Sequence, residues 1–285
     1  WIADVARRAG RFSAGLGFFV HAFDQTVIEN RTLYAEKIDE LTGELALIAE
    51  MAASVADLTT ASVEQMYTPH QPPWRVEETR ELLRDVYRRS RGYPLYTTVD
   101  LGHGGPQRRF FKPREEELIK AVEAVRHRRV QRGAGGESLP YLGTLAARDS
   151  LLTLAQSDRS GERVTEELLR SLEGWEHLFA REEDADPYRW LRRLGPWSPV
   201  IHLQQSDGTG SGHRPFTAKE NDEGIIEPKK VIEALAEGFA EATGEGADGM
   251  PPPVDRIYLT LELFSSTAAY PAQILEDLEE SVAYW

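Results

Sequence analysis

The 285-residue chain contains no cysteine. A disulfide framework and a thiolate zinc site are therefore both excluded, and any metal ion must bind through imidazole, carboxylate or amide groups. Basic residues are also scarce, because 33 Lys and Arg stand against 47 Asp and Glu and give a net charge of -14. Nucleic-acid binding needs clustered positive charge, so this balance argues against a nucleic acid as partner.

Long apolar runs are missing as well. The sequence has no run of about 18 apolar residues, and no basic and apolar signal segment opens it. We therefore expect a cytoplasmic protein without a membrane segment. The hydrophobic content of 41% is ordinary, and the length suffices for one large α/β domain or two ordinary ones. The chain opens on Trp1 rather than on Met, so a missing start is expected.

Short apolar runs alternate with longer amphipathic segments along the chain. The strand-like runs are GLGFFVHAF (15–23), SVEQMY (62–67), PLYTTVDLGH (94–103), PVIHLQ (199–204) and RIYLTLELF (256–264). Helical spacing of apolar residues is found at about 27–56, 74–91, 228–242 and 271–284. This alternation predicts parallel βα units, in which ligands bind at the carboxyl ends of the strands.

Residues 113 to 195 are mostly helical in pattern, with helices expected at 115–132, 142–156, 163–179 and 187–194. A crossover between parallel strands usually contains one helix, so we interpret about 133–186 as a helical insertion. The insertion is a candidate for a lid over the site or for a contact in a homo-oligomer. The sequence leaves both roles open.

Four predicted strands end in side chains that can bind a hard metal ion. They are Glu64, Asp100 with His103, His202 and Glu262. A single such residue is weak evidence for a metal site, since Asp often caps a turn. Glu262, however, lies in an apolar run, where an unpaired carboxylate is costly. Three carboxylates and one imidazole predict an octahedral divalent ion, Mn²⁺, Mg²⁺ or Co²⁺, in preference to Zn²⁺.

This series resembles the xylose isomerase-like TIM-barrel superfamily, which includes ketose epimerases, sugar-phosphate isomerases and endonuclease IV. The resemblance implies metal ligands at the ends of the fifth to eighth strands, here Glu64, Asp100, His202 and Glu262. It also implies that His103, in the DxxH motif, contacts the substrate. The segments VEQMYTPHQPPW and VIHLQQSDG are similar to bacterial sugar-phosphate isomerases and epimerases, including those that act on four-carbon ketose phosphates.

The resemblance covers part of a barrel. It implies a TIM (β/α)8 barrel of which residues 1–285 hold about strands 4 to 8 in a single domain, with the insertion between the sixth and seventh strands. The first three units are then missing from the sequence. Epimerases of the family place an Arg shortly after the histidine of the seventh strand, and Gly208 stands at that position here. This departure leaves the substrate open.

Carboxylates beside a divalent ion suit proton transfer next to a carbonyl, because a cation stabilises the developing enediolate charge. Glu64 and Glu262 are the predicted acid and base. Transfer on opposite faces would invert the carbon, and transfer on one face would interconvert aldose and ketose. The sequence thus predicts an isomerase or epimerase of a small ketose or sugar phosphate, without separating the two.

Further polar residues are predicted to contact the substrate. His70, in the loop TPHQPP, and His103 are candidates for binding hydroxyl groups. Gln204 shares a strand face with His202, because side chains alternate along a strand, whereas Gln205 points away. Arg214 is a candidate to replace the missing Arg.

Three alternatives stay open. A lyase that dehydrates or decarboxylates a sugar-derived keto acid would use the same stabilisation of negative charge. A hydrolase similar to endonuclease IV needs more ligands and a basic DNA-binding face, which seven His and a charge of -14 disfavour. A non-catalytic module that keeps the fold is disfavoured by the complete set of four ligands.

Overall fold

The computed structural model describes residues 1–127, 139–242, 249–265 and 268–285. Its strands are β1 (Leu16–Phe18), β2 (Ala61–Glu64), β3 (Tyr96–Asp100), β4 (Val200–Leu203) and β5 (Tyr258–Leu261). They form one five-stranded sheet in chain order, and every neighbouring pair is parallel. The sheet curls into part of a barrel. The expected α/β class and partial TIM-barrel fold are confirmed.

The helices are α1 (Ile2–Gly10), α2 (Gln25–Ile28), α3 (Arg31–Ala53), α4 (Val76–Arg89), α5 (Gly104–Gln107), α6 (Glu115–Arg126), α7 (Leu145–Ala155), α8 (Gly161–Ser171), α9 (Pro187–Leu194), α10 (Ala218–Asn221), α11 (Pro228–Ala242) and α12 (Pro271–Tyr284). The bounds of α9, α11 and α12 agree with the sequence prediction. The long helix begins later than predicted, because the Asn30 side chain accepts a hydrogen bond from Leu33 N and caps it. Helix α1 was not predicted.

The main core lies between the sheet and helices α4, α9 and α11. It contains Val99 and Ile201 from neighbouring strands, packed against Trp190 and Leu191 of α9. Helix α11 approaches α9 closely at Gly238, where an added Cβ would lie 2.7 Å from the carbonyl oxygen of Arg192. Helix α9 thus packs on the sheet as the last helix of the connection from β3 to β4.

Helices α6, α7 and α8 have a separate core. Leu118, Leu151 and Leu168, one from each helix, are fully buried, and they pack with the buried side chains of Ile28 from α2 and Tyr34 from α3. This unit contains the described part of the predicted insertion, whose residues 133–138 lie outside the described ranges. The insertion thus packs against the segment that follows β1. Its role as a lid or as a subunit contact stays a prediction.

Within the described ranges, β1 and β5 are the edges of the sheet, which does not close into a barrel. The edge strand β5 carries exposed apolar side chains, with Tyr258 at 56% and Leu259 at 38% exposure. Glu262 lies directly after β5 rather than inside the strand. None of the described helices combines the length and the apolar character needed to cross a membrane.

Candidate metal centre and active site

Four side chains meet at the carboxyl edge of the sheet. Glu64 ends β2, Asp100 ends β3, His202 lies in β4 and Glu262 follows β5. Asp100 and His202 are directly paired in the β3–β4 register. One potential ligand atom of each residue lies within 4.8 Å of those of the other three. The structure therefore brings the sequence-predicted ligand set together, because the ends of parallel strands share one edge.

Two atoms of this cluster lack a hydrogen bond. His202 Nδ1 lies 3.0 Å from Glu262 Oε2 and 3.3 Å from Glu64 Oε1. Yet, among the residues that the structure describes, neither His202 Nδ1 nor Glu262 Oε2 has a hydrogen-bond partner, although both atoms are buried. Buried polar atoms nearly always have partners, so this pair suits ligands directed at a shared cation. The donor set of three carboxylates and one imidazole fits a hard divalent ion.

The electrostatics of the cluster lead to the same expectation. Burial lowers the pKa of His202, but the carboxylates of Glu64 and Glu262 outweigh burial, and the pKa lies above the usual 6.5. Burial raises the pKa of Glu262, and the nearby imidazole of His202 offsets this only in part. Negative charge is thus crowded in a partly desolvated space, where a divalent cation would relieve the repulsion.

Asp100 is the most firmly held member of the cluster. Its Oδ1 accepts a hydrogen bond from Gly102 N at 2.7 Å. Gln204 Nε2 donates to Oδ1 at 2.8 Å and lies 3.0 Å from Oδ2. The backbone N–H of Asp100 donates to Gln65 Oε1 at 3.0 Å. These bonds fix the backbone and the carboxylate of Asp100, so a ligand at this position is oriented in advance.

His103 lies beside Asp100 in the interior. Its Nδ1 is 2.8 Å from the carbonyl oxygen of Gln65, which can only accept, so Nδ1 carries the proton. Its Nε2 lies 3.3 Å from Asp100 Oδ2, and its ring packs on Tyr67 with centroids 4.8 Å apart. The structure thus places His103 against a candidate ligand, and its contact with substrate stays a prediction.

Gln204 is fully buried and acts as a bridge. On one side it donates to the Asp100 carboxylate, and on the other its Oε1 accepts from His213 N at 2.7 Å and Ser211 Oγ at 3.2 Å. The geometry therefore favours support of Asp100, while the predicted contact of Gln204 with substrate stays a prediction.

Gln205 points to the opposite side, as expected from strand alternation. Its Nε2 donates to Asn221 Oδ1 at 2.8 Å and to the carbonyl oxygen of Ile226 at 3.1 Å. Its Oε1 accepts from the N–H groups of Ser206 and Ile226, both at 3.0 Å. Gln205 thus holds the loop after β4 to the segment before α11.

Two predicted substrate residues have protein partners. The Arg214 guanidinium lies 2.8 Å from Asp207 Oδ2 and 3.4 Å from Glu220 Oε2, so its charge is already balanced. His70 Nδ1 lies 2.8 Å from the carbonyl oxygen of Phe23 and joins the loops after β1 and β2. These contacts supply structural roles for both residues. Their roles in substrate binding stay predictions.

Gly208, which stands where the resemblance implies an Arg, has a backbone φ of 79°. Side chains with a Cβ rarely adopt this left-handed conformation, whereas glycine adopts it freely. The N–H of Gly208 donates to Ser206 Oγ at 3.0 Å, which fixes the turn. The turn therefore accounts for glycine at this position.

Sequence reasoning missed His213. Its Nδ1 lies 3.8 Å from Glu262 Oε2, and its ring stacks on Phe264 with centroids 4.2 Å apart. The loop after β4 returns to the strand end through an antiparallel bridge between Gln205 and Arg214, which carries His213 to the site. A Gly-Ser loop has no periodicity that would predict this return.

The fold of the chain is similar to that of a solved structure. The chain is similar to the crystal structure of a protein from Rhodospirillum rubrum ATCC 11170 described as a candidate xylose isomerase, with a TM-score of 0.57 and 15% identity. The superposition covers 99% of this chain and 65% of that chain. The predicted resemblance to the xylose isomerase-like superfamily is confirmed.

At the level of sequence the chain is similar to a particular enzyme. It is 31% identical over 185 residues to the D-erythrulose 1-phosphate 3-epimerase of Brucella abortus (strain 2308). The match covers 60% of this chain and 54% of that enzyme, so the chain spans about half the length of this curated relative. No protein-family model matches the chain.

Proposed function

We propose that this protein is a divalent-metal-dependent isomerase or epimerase of a small ketose phosphate. The observation that carries the proposal is the convergence of Glu64, Asp100, His202 and Glu262 within 4.8 Å at the carboxyl edge of a parallel sheet. The similarity to an enzyme named for D-erythrulose 1-phosphate supports a phosphorylated ketose of four carbons as the first substrate to test.

The same four residues would hold the ion, for which Mn²⁺, Mg²⁺ and Co²⁺ are the candidates. When bound, the ion would supply positive charge beside the substrate oxygens and lower the free energy of removing the adjacent proton. Support comes from the buried atoms His202 Nδ1 and Glu262 Oε2, which have no hydrogen-bond partner in the described part of the chain.

Exposure separates the roles of the three carboxylates. The Asp100 side chain is fully buried, whereas those of Glu64 and Glu262 are 19% and 29% exposed. A general acid or base must reach the substrate, so the two glutamates are the candidates for proton transfer. They come from β2 and from the segment after β5, which lie on either side of the β3–β4 pair.

In the proposed reaction, one glutamate removes the proton from the carbon next to the carbonyl. The other glutamate returns a proton to the opposite face, which inverts that carbon and gives the epimer. Return of the proton to the neighbouring carbon on the same face would give the isomer instead. Both outcomes use the same carboxylates.

Solvent deuterium exchange tests this proposal. The protein is incubated with Mn²⁺ and D-erythrulose 1-phosphate or other ketose phosphates in D₂O, and deuterium at the carbon beside the carbonyl is followed by NMR. We expect exchange in the wild type and a loss of about a hundredfold or more in Glu262→Gln. Glu279→Gln, an exposed residue of α12, serves as the control.

Two results would contradict the proposal. One is full exchange in Glu262→Gln, which would remove that residue from proton transfer. The other is loss of water from the substrate skeleton, which would indicate a lyase.

A further inference from the structure

His213 connects the loop after β4 with the segment after β5, which carries Glu262. We infer that His213 is a positioning residue that holds Glu262 and the Gln204–Asp100 pair in place. This role rests on the function proposed above, in which Glu262 transfers a proton and Asp100 binds the ion. It concerns a residue for which sequence patterns gave no signal.

The backbone of His213 is the first argument. Its φ of 47° lies in the left-handed region, which non-glycine residues seldom adopt. Both backbone groups are engaged at the site. The N–H donates to Gln204 Oε1 at 2.7 Å, and the carbonyl oxygen accepts from Phe264 N at 3.0 Å. The unusual conformation therefore joins β4 to the segment after β5.

The ring of His213 is held just as closely. It stacks on Phe264 with an interplanar angle of 29°, and Nδ1 lies 3.3 Å from Gln204 Nε2. Since the same Nε2 donates to the carboxylate of Asp100, the orientation of the amide is determined, and Nδ1 must accept from it. Nδ1 therefore has no proton to give to Glu262, and His213 acts on that carboxylate through position.

The segment of Glu262 depends on these contacts. In the described part of the chain β5 pairs only with β4, so one side of the strand lacks a neighbour. Glu262 N donates to the carbonyl oxygen of Leu203 at 2.9 Å, and Phe264 N donates to that of His213. Removal of the His213 ring would remove its stacking contact with Phe264, which holds the segment of Glu262 beside the four-residue cluster.

The test compares three variants of His213. Asn tolerates the left-handed backbone but lacks the ring, Phe keeps the stacked ring but lacks its nitrogens, and Ala lacks both. We expect the Mn²⁺ affinity to fall about tenfold or more in the Ala and Asn variants and less in the Phe variant. We also expect kcat for ketose-phosphate exchange to fall with little change in KM, and the EPR spectrum of bound Mn²⁺ to change.

Thr209→Ala is the matched control, because Thr209 lies in the same loop, is exposed and bonds to Asp207. Its Mn²⁺ affinity should equal that of the wild type. A folded His213→Asn variant with wild-type Mn²⁺ affinity and EPR spectrum would overturn the inference. Wild-type protein that binds Mn²⁺ but exchanges no substrate proton would instead refute the proposed reaction, and the affinity comparison would still decide the role of His213.

Discussion

Gln204 and Gln205 offer a test of the site that contains its own control. Both side chains are almost completely buried, they are adjacent in sequence, and both form hydrogen bonds with protein groups. Gln204 supports Asp100, whereas Gln205 faces the segment before α11. The substitutions Gln204→Leu and Gln205→Leu keep a similar volume and remove the amide. They therefore separate loss of folding stability from loss of the site.

The expected loss of stability is similar for the two variants. Gln204→Leu removes hydrogen bonds to a charged carboxylate, worth about 1.5–3 kcal/mol, and leaves the N–H of His213 without its acceptor. Gln205→Leu leaves two N–H groups without an acceptor, at about 1–3 kcal/mol each. We expect about 3–5 kcal/mol in each case. For a chain of this length that lowers Tm by about 5–8 °C.

Metal affinity should distinguish them. Removal of a group that orients a metal ligand typically costs about 10- to 100-fold in affinity, so we expect this loss in Gln204→Leu. Gln205→Leu should bind Mn²⁺ like the wild type. Thermal unfolding followed by circular dichroism gives the stabilities, and calorimetric titration with Mn²⁺ gives the affinities. Equal Mn²⁺ affinities in the two variants would refute the reasoning that Gln204 orients Asp100.

Two further predictions concern the ion and the pH. At a Mn²⁺ concentration about 100 times its Kd, binding should stabilise the fold by about 2.7 kcal/mol and raise Tm by about 4–5 °C. EDTA should reverse the shift. An unchanged Tm in a thermal scan would argue against the site. In metal-free protein the pKa of His202 is raised. Protonated His202 therefore makes its full contribution to stability below pH 6.5, and this contribution is lost as the pH rises through the raised pKa. We therefore expect the free energy of unfolding of EDTA-treated protein to decrease over that pH range, and to decrease less in His202→Gln; parallel curves in urea denaturation would contradict this.

The candidate metal site could be predicted from the sequence because each of its residues is marked by the residues next to it in the chain. Each of Glu64, Asp100, His202 and Glu262 follows or ends a short apolar run, and the alternation of strands and helices implies parallel pairing. Parallel strands place their carboxyl ends at one edge of the sheet, and the curvature of the sheet then brings the four residues within 4.8 Å of one another. The opposite directions of Gln204 and Gln205 follow from strand alternation in the same way.

The supporting residues could not be predicted in this manner. The bond from Gln65 to the backbone of Asp100 joins neighbouring strands, and the position of His213 depends on a loop that folds back through the Gln205–Arg214 bridge. Arg214 illustrates the same limit, because its pairing with Asp207 and Glu220 arises within that loop. Such contacts depend on turn geometry and on partners distant in sequence, and residue periodicity records neither.

The sequence by itself therefore determined the order of the strands and of the longer helices, and the residues at the strand ends, since hydrophobic periodicity encodes both. Only the tertiary structure decided how the carboxylates are held, which of them are exposed to a substrate, and that His213 joins the site. The physical reason is that hydrogen bonds, burial and a left-handed loop residue are settled only when segments far apart in the chain pack against one another.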